Sequence, residues 1–69
     1  MSIVPNPTEG QFKILTNFTF TKAEIYDFSG KMVKVITEPN VDLAELASGV
    51  YFVKIEVENK VILKRVVLI

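Results

Sequence analysis

The chain has 69 residues, enough for one domain in which only about 60% of the unfolded chain's surface can be buried, so its stability margin is small. Eight basic and eight acidic residues cancel, which argues against nucleic acid or an anionic membrane surface as a partner held by bulk charge. Cysteine and histidine are absent, which removes disulfides and the common zinc and haem ligand sets, and no apolar run approaches the ~20 residues of a membrane helix, so neither cofactor nor membrane insertion is expected.

After Met1 the chain meets Pro5 and Pro7, where a signal peptide would need a basic start and an apolar middle. Any inner-membrane export address is therefore expected elsewhere. Ile3-Val4 reads as a short first strand. It is stopped by Pro5-Asn6-Pro7-Thr8-Glu9-Gly10, in which two prolines fix φ, Asn6 is pushed into an extended conformation and Gly10 can take positive φ. Phe12, Ile14, Phe18 and Phe20 share one parity and Lys13, Asn17 and Thr19 the other, a pattern of two short half-buried strands bent near Thr16-Asn17.

Lys22 to Thr37 reads as a hairpin around Tyr26-Asp27-Phe28-Ser29-Gly30-Lys31. Asp27 is placed to accept a backbone N–H two residues on, and Gly30 suits the left-handed geometry of a following bulge. Ala23, Ile25, Val33 and Val35 are the expected core positions of its arms, with Lys22, Glu24 and Lys34 on the other side. Thr37-Glu38-Pro39-Asn40 makes a further turn, and Val41-Asp42-Leu43 a short extended piece. The spacing of Leu43 and Leu46 predicts a single helical or 3₁₀ turn that drops both leucines onto one end of the domain.

From Val50 to Glu58, Tyr51, Val53, Ile55 and Val57 alternate with Lys54, Glu56 and Glu58. Tyr51 follows the turn Leu46-Ala47-Ser48-Gly49, and a tyrosine there is placed to send its hydroxyl to a backbone group a few residues upstream, as at the corner of a Greek-key β-sandwich. Phe52 breaks the alternation and either covers a loop or belongs to a contact surface. Asn59-Lys60 is the expected two-residue connection, with Asn59 suited to positive φ. In the last strand Val61, Leu63, Val67 and Ile69 share a parity with Arg65, and Ile62, Val66 and Leu68 with Lys64. Such a strand is either covered on both faces or awaiting a partner. The count and spacing of these elements predict an all-β sandwich of about seven short antiparallel strands.

Catalytic signals are weak. Ser29 and Ser48 sit beside turn glycines, where a structural role is the simpler account. Glu56 and Glu58 share a face but read as solvated like charges, since nothing nearby would raise one pKa. Asn17-Phe18-Thr19 matches the N-glycosylation triplet, a pattern that arises readily by chance. The chain is not expected to be an enzyme.

Four segments in order carry a family resemblance: Val4-Pro5-Asn6-Pro7-Thr8-Glu9-Gly10, Ile25 to Val33, Asp42-Leu43 with Leu46 to Ile55, and Lys64-Arg65-Val66-Val67. They resemble the C-terminal sorting domain of the type IX (Por) secretion system, type A, found at the end of many Bacteroidetes surface and secreted proteins. The resemblance spans almost the whole chain, 1–69 as a single domain with residues 1–3 read as linker. It implies an immunoglobulin-like Greek-key sandwich that directs a cargo protein across the outer membrane and is usually cleaved when the cargo is released or anchored to the cell surface. The implied partners are an outer-membrane shuttle receptor, the translocon, a sortase-like peptidase and an N-terminal cargo, with export by way of the periplasm to the outer membrane, cell surface or exterior. Pro5, Asn6, Pro7 and Gly10 match the first motif, Gly30 and Lys31 the hairpin, Gly49 and Tyr51 the central signature, and Lys64 or Arg65 the basic position of the last strand. The segment Val66, Val67, Leu68 and Ile69 is the candidate for pairing with a partner strand, including a second copy. The loops at Thr16-Asn17 and Glu38-Asn40 are short for the family, which leaves the full strand complement open, and the absence of cargo before Met1 suggests a fragment. The alternatives are a non-catalytic carbohydrate- or protein-binding module at the end of a larger secreted protein, or an oligomerisation scaffold.

Overall fold

A computed structural model describes residues 1–69 as seven strands in two antiparallel sheets, with no helix. The strands are β1 (Ser2–Val4), β2 (Gln11–Leu15), β3 (Phe20–Tyr26), β4 (Met32–Ile36), β5 (Asn40–Asp42), β6 (Gly49–Val57) and β7 (Lys60–Leu68). One sheet has the order β1-β2-β5 and the other β4-β3-β6-β7. The small strand count is what a chain of this length can supply, and the sandwich is what lets each sheet bury its one apolar face. Its thin dimension, 16 Å, is that of two layers packed about 10 Å apart.

The core is the inward face of both sheets. Ile3, Phe12, Ile14 and Val41 come from the smaller sheet and Ala23, Ile25, Tyr51, Val53, Ile55 and Val57 from the larger. Leu43 is fully buried and Leu46 half-buried in the turn that follows β5, closed by the Leu46 N–H donating to the Leu43 carbonyl (2.9 Å). That turn stays a single turn. The first strand expected at Ile3-Val4 is β1, and Ile3 is buried opposite Ile14 in the β1–β2 ladder.

Two bulges explain where the expected core assignments shift. Phe20 faces Val57 and Lys22 faces Glu56, so Thr21 is an extra residue, and the bulge lets Phe20 pack on the core although Ala23 and Ile25 have the opposite parity. In β4, Ile25 faces Lys34 and Tyr26 faces Met32, which leaves Val33 as the extra residue. Val35 therefore lies opposite Glu24 on the outer face and is 49% exposed, while Ile36, opposite Ala23, takes the core position. Lys34 is turned toward the other sheet, where its ammonium donates to the Asp42 carbonyl (2.8 Å) and lies 3.9 Å from Glu45. An inward-turned lysine is one way to blunt an edge strand. Phe18, expected in a strand, lies in the loop between β2 and β3, and Lys60 Nζ sits 4.3 Å from the centre of its ring.

The β6–β7 connection is also displaced by one residue. Val57 faces Lys60, so the loop is Glu58-Asn59, and the positive φ falls at Glu58 (39°). Glu58 is held there from the neighbouring loop: its N–H donates to the Thr19 carbonyl (3.1 Å) and its Oε1 accepts from the Thr19 N–H (3.3 Å).

Candidate functional site

The strands alternate in direction, so the connections divide between two poles. The turns Pro5–Gly10, Asp27–Lys31 and Leu43–Ser48 and the C-terminal end of β7 lie at one pole; residues 16–19, 37–39 and 58–59 lie at the other. The motif positions Pro5, Asn6, Pro7, Gly10, Gly30, Lys31, Gly49 and Tyr51 therefore belong to the first pole or to the strand end that leaves it, whereas Lys64 and Arg65 lie at mid-strand in β7.

The segment Pro5–Gly10 is laid along the outer edge of β7. Asn6 Nδ2 donates to the Arg65 carbonyl (2.9 Å) and Asn6 Oδ1 accepts from the Val67 N–H (3.0 Å), so one side-chain amide does what a neighbouring strand residue would do. Thr8 continues the ladder with its backbone: its N–H donates to the Val67 carbonyl (2.9 Å) and its carbonyl accepts from the Ile69 N–H (2.8 Å), a parallel bridge opposite Leu68. Both X-Pro bonds here, Val4-Pro5 and Asn6-Pro7, are cis. Thr8 is 1% exposed, and its hydroxyl donates to the Gln11 carbonyl (2.6 Å) and accepts from the Gly10 N–H (3.1 Å), so its buried polar atoms are satisfied.

Gly10 is required by space as well as by conformation. Its φ is +143°, and a Cβ there would stand 2.7 Å from the Ala44 Cα, which no side chain tolerates without backbone movement. Its carbonyl accepts from the Leu43 N–H (2.8 Å). Three of the eight backbone hydrogen bonds outside the strand ladders thus converge on Thr8 and Gly10, which makes this segment the main tie between the smaller sheet, the β5–β6 turn and β7.

The hairpin turn is self-contained by contrast. Asp27 Oδ1 accepts from the Ser29 N–H (2.9 Å), the Ser29 hydroxyl (2.6 Å) and the Lys31 N–H (3.0 Å). The hydrogen bonds from Ser29 and Lys31 hold the Asp27 carboxyl below the usual carboxylate range. Gly30 takes φ +92° with open space around it, and Lys31 is exposed. Phe28, 77% exposed, stacks on Phe52 of β6 with ring centroids 6.5 Å apart. Phe52 therefore covers this turn, one of the two roles its exposed parity allowed.

Tyr51 makes the corner: its hydroxyl donates to the Ala47 carbonyl (2.6 Å) across the turn that contains Gly49. Gly49 faces Leu68 in the β6–β7 ladder, which brings the central signature beside the end of β7. Lys64 is half-buried and Arg65 exposed, and neither has a carboxylate within 4 Å. Val66 and Leu68 are buried in the core, Val67 is half-buried with both backbone groups bonded to Asn6 and Thr8, and Ile69 is 65% exposed. The centre of the larger sheet's outer face is polar, with Lys22 and Lys54 each bridging to Glu24 (3.9 and 3.7 Å), Lys22 also to Glu56 (3.6 Å), and the Tyr26 hydroxyl donating to Glu24 (3.1 Å), and exposed Val35, Val61 and Leu63 flank it.

Thr8, marked in sequence only as part of the first motif, carries a structural role there of its own, and a threonine two residues before a turn glycine fits a side-chain-closed turn. The reach of Asn6 to residues 59 and 61 positions away left no local signal. The surface depressions are open, and the one beside the first motif is lined by Pro5, Pro7, Ala44 and Ile69 among others. What the pole offers is therefore a surface of turns and strand ends fixed by these bonds, with an open depression beside the first motif.

A family model described as the secretion system C-terminal sorting domain matches residues 2–69. The search among curated proteins gives no match.

Proposed function

Because the chain belongs to the secretion system C-terminal sorting domain family, and so acts as a C-terminal signal for type IX secretion, we propose that the machinery reads the motif pole of the folded domain and not a linear tail. The family's role is that of a sorting tag working with the type IX machinery, and its signal implies export across the outer membrane to the surface or exterior. In this reading the cargo lies N-terminal, the domain passes through the periplasm, and the shuttle receptor, translocon and sortase-like peptidase meet it in turn, the last removing it.

The observation that carries the proposal is the bonding of the first motif onto the last strand through Asn6 and Thr8. Segments from the two ends of the chain form one surface only after folding, and a folded surface binds without the ordering entropy that a disordered tag would lose. Removing Val66 to Ile69 is a poor test, because Val66 and Leu68 are core residues and losing each costs about 2–5 kcal/mol. Exposed side chains that make no contacts are better probes.

A reporter fused ahead of the chain, in a bacterium with the secretion system, is expected at the cell surface. The paired reversal Glu9→Lys and Lys31→Glu at the motif pole should cut surface delivery about tenfold, the scale of a lost charged contact, with the circular dichroism spectrum unchanged. The reversal Glu38→Lys at the other pole should leave delivery intact. Normal export of the motif-pole pair together with loss of export in Glu38→Lys would reverse the assignment.

A further inference from the structure

The edge of β7 is covered along only half its length. Arg65, Val67 and Ile69 direct backbone groups away from β6, and Asn6 and Thr8 take them up. In an antiparallel ladder this direction repeats every second residue, so the N–H and carbonyl groups of Val61 and Leu63 and the N–H of Arg65 point the same way. No strand pairs with them and no backbone hydrogen bond outside the ladders takes them up, since β7 is the outermost strand of its sheet and pairs only with β6. The side chains of Val61 and Leu63, 59% and 64% exposed, stand on the outer face of the sheet.

We propose that this open half-edge, Lys60–Arg65, takes up an extended segment of alternating apolar and acidic residues from a partner protein, added as a further strand beside β7. This rests on the reading of the domain as a sorting label and adds to the motif pole a second contact of stated chemistry. Main-chain bonds supply the register, and side chains along one face supply the selectivity. The charge along the edge decides the occupant. Lys60, Lys64 and Arg65 lie within six residues, β7 contains no acidic residue, and none of the three cations has a carboxylate partner within 4 Å.

A second copy fits poorly. Antiparallel pairing of two such edges in the register that opposes Ile62 to its own copy sets Lys60 of one against Lys64 of the other, and directly opposed like charges destabilise a strand pair. The same lysines suppress uncontrolled edge association while leaving an acidic strand welcome. The other edge of the same sheet, β4, has Lys34 turned inward to Asp42 and a bulge at Val33, so it is blunted where β7 is open.

The test uses the full chain, isotope-labelled, titrated with a soluble peptide of alternating valine and glutamate about eight residues long, the span of a typical strand. Its controls are the valine–lysine analogue and a backbone N-methylated version. The amide signals of Val61, Leu63 and Arg65 should move and their hydrogen exchange should slow, with binding weakening in salt. The double reversal Lys64→Glu with Arg65→Glu should lower affinity about tenfold or more. Leu63→Pro should abolish binding without unfolding the domain, because that N–H serves no ladder bond and proline is tolerated on such an edge.

Equal binding of the valine–lysine peptide, absence of binding by the valine–glutamate peptide, or the same amide shifts produced by raising the chain's own concentration would each overturn the proposal. The reporter fusion separates it from the sorting reading. If the unaltered chain fails to export the reporter, the sorting reading fails whatever the peptide does; if it exports and the double reversal exports equally well, the half-edge proposal alone fails.

Discussion

The two poles of the sandwich are built from the same number of chain connections, yet they are held in different ways. At the bare pole, the loops 16–19 and 58–59 are joined by the reciprocal contacts of Thr19 with Glu58 and by Lys60 over Phe18, all at exposed positions. At the motif pole, a buried threonine, a glycine without room for a side chain, and an asparagine that substitutes for a strand residue tie the first turn and the β5–β6 turn to the end of β7. A surface that must present one geometry to another protein gains from that rigidity, since fewer conformations are lost on contact.

The comparison breaks first at Gly10. Gly10→Ala combines a positive φ with overlap on the Ala44 backbone, and strain of that kind costs about 3 kcal/mol. A domain of this size has a total stability of roughly 3–10 kcal/mol, so the melting temperature measured by circular dichroism should fall by about 12–24 °C. A fall no larger than that of a substitution at the bare pole would mean that the Gly10–Ala44 contact relaxes freely.

Asn6→Ala removes two hydrogen bonds across the longest separation in the chain. At about 1 kcal/mol each, the loss is about 2 kcal/mol. Hydrogen exchange sharpens the point: the Val67 amide should exchange faster in the variant while the Ser29 and Lys31 amides of the hairpin do not. Equal acceleration of both would show that the two turns open together.

Asp27 tests the local turn by pH. Its carboxyl is held below its ordinary value of 3.8 by Ser29 and Lys31, so the folded state favours the charged form. That contribution is present above the unfolded value and is lost as pH falls through the lower folded one. The difference in urea midpoint between the unaltered chain and Asp27→Asn should therefore shrink as pH drops below about 4. A constant difference across that range would assign the turn's stability to its backbone bonds alone.

The smallest effect is expected at the bare pole. Lys60→Ala loses the contact over Phe18, worth about 0.5–1 kcal/mol at an exposed site, and the melting temperature should move by only a few degrees, about 2–8 °C. A larger shift would put structural weight on a pole that carries no motif residue.

Much of the architecture was legible because it is local. Alternation in β6 marked Tyr51, Val53, Ile55 and Val57 as buried, and all four are; Asp27 with Gly30 specified its turn, and the corner bond of Tyr51 runs to Ala47, four residues away. The misplacements fall where a single residue changes register. The extra residue at Val33 sends Val35 outward and Ile36 inward, and the positive φ sits at Glu58 because Thr19, from another loop, holds it. Parity read along one strand carries no information about a bulge, which is set by the partner strand.

The sequence by itself determined the class, the number of strands and the position of nearly every turn, because strand period and the backbone limits of proline and glycine act within a few residues. Only the tertiary structure decided that the first turn closes half of the last strand's edge and leaves the other half open. That decision depends on hydrogen-bond partners 59 and 61 residues apart, and a pairing between the two ends of a chain exists only once the sheets between them have packed.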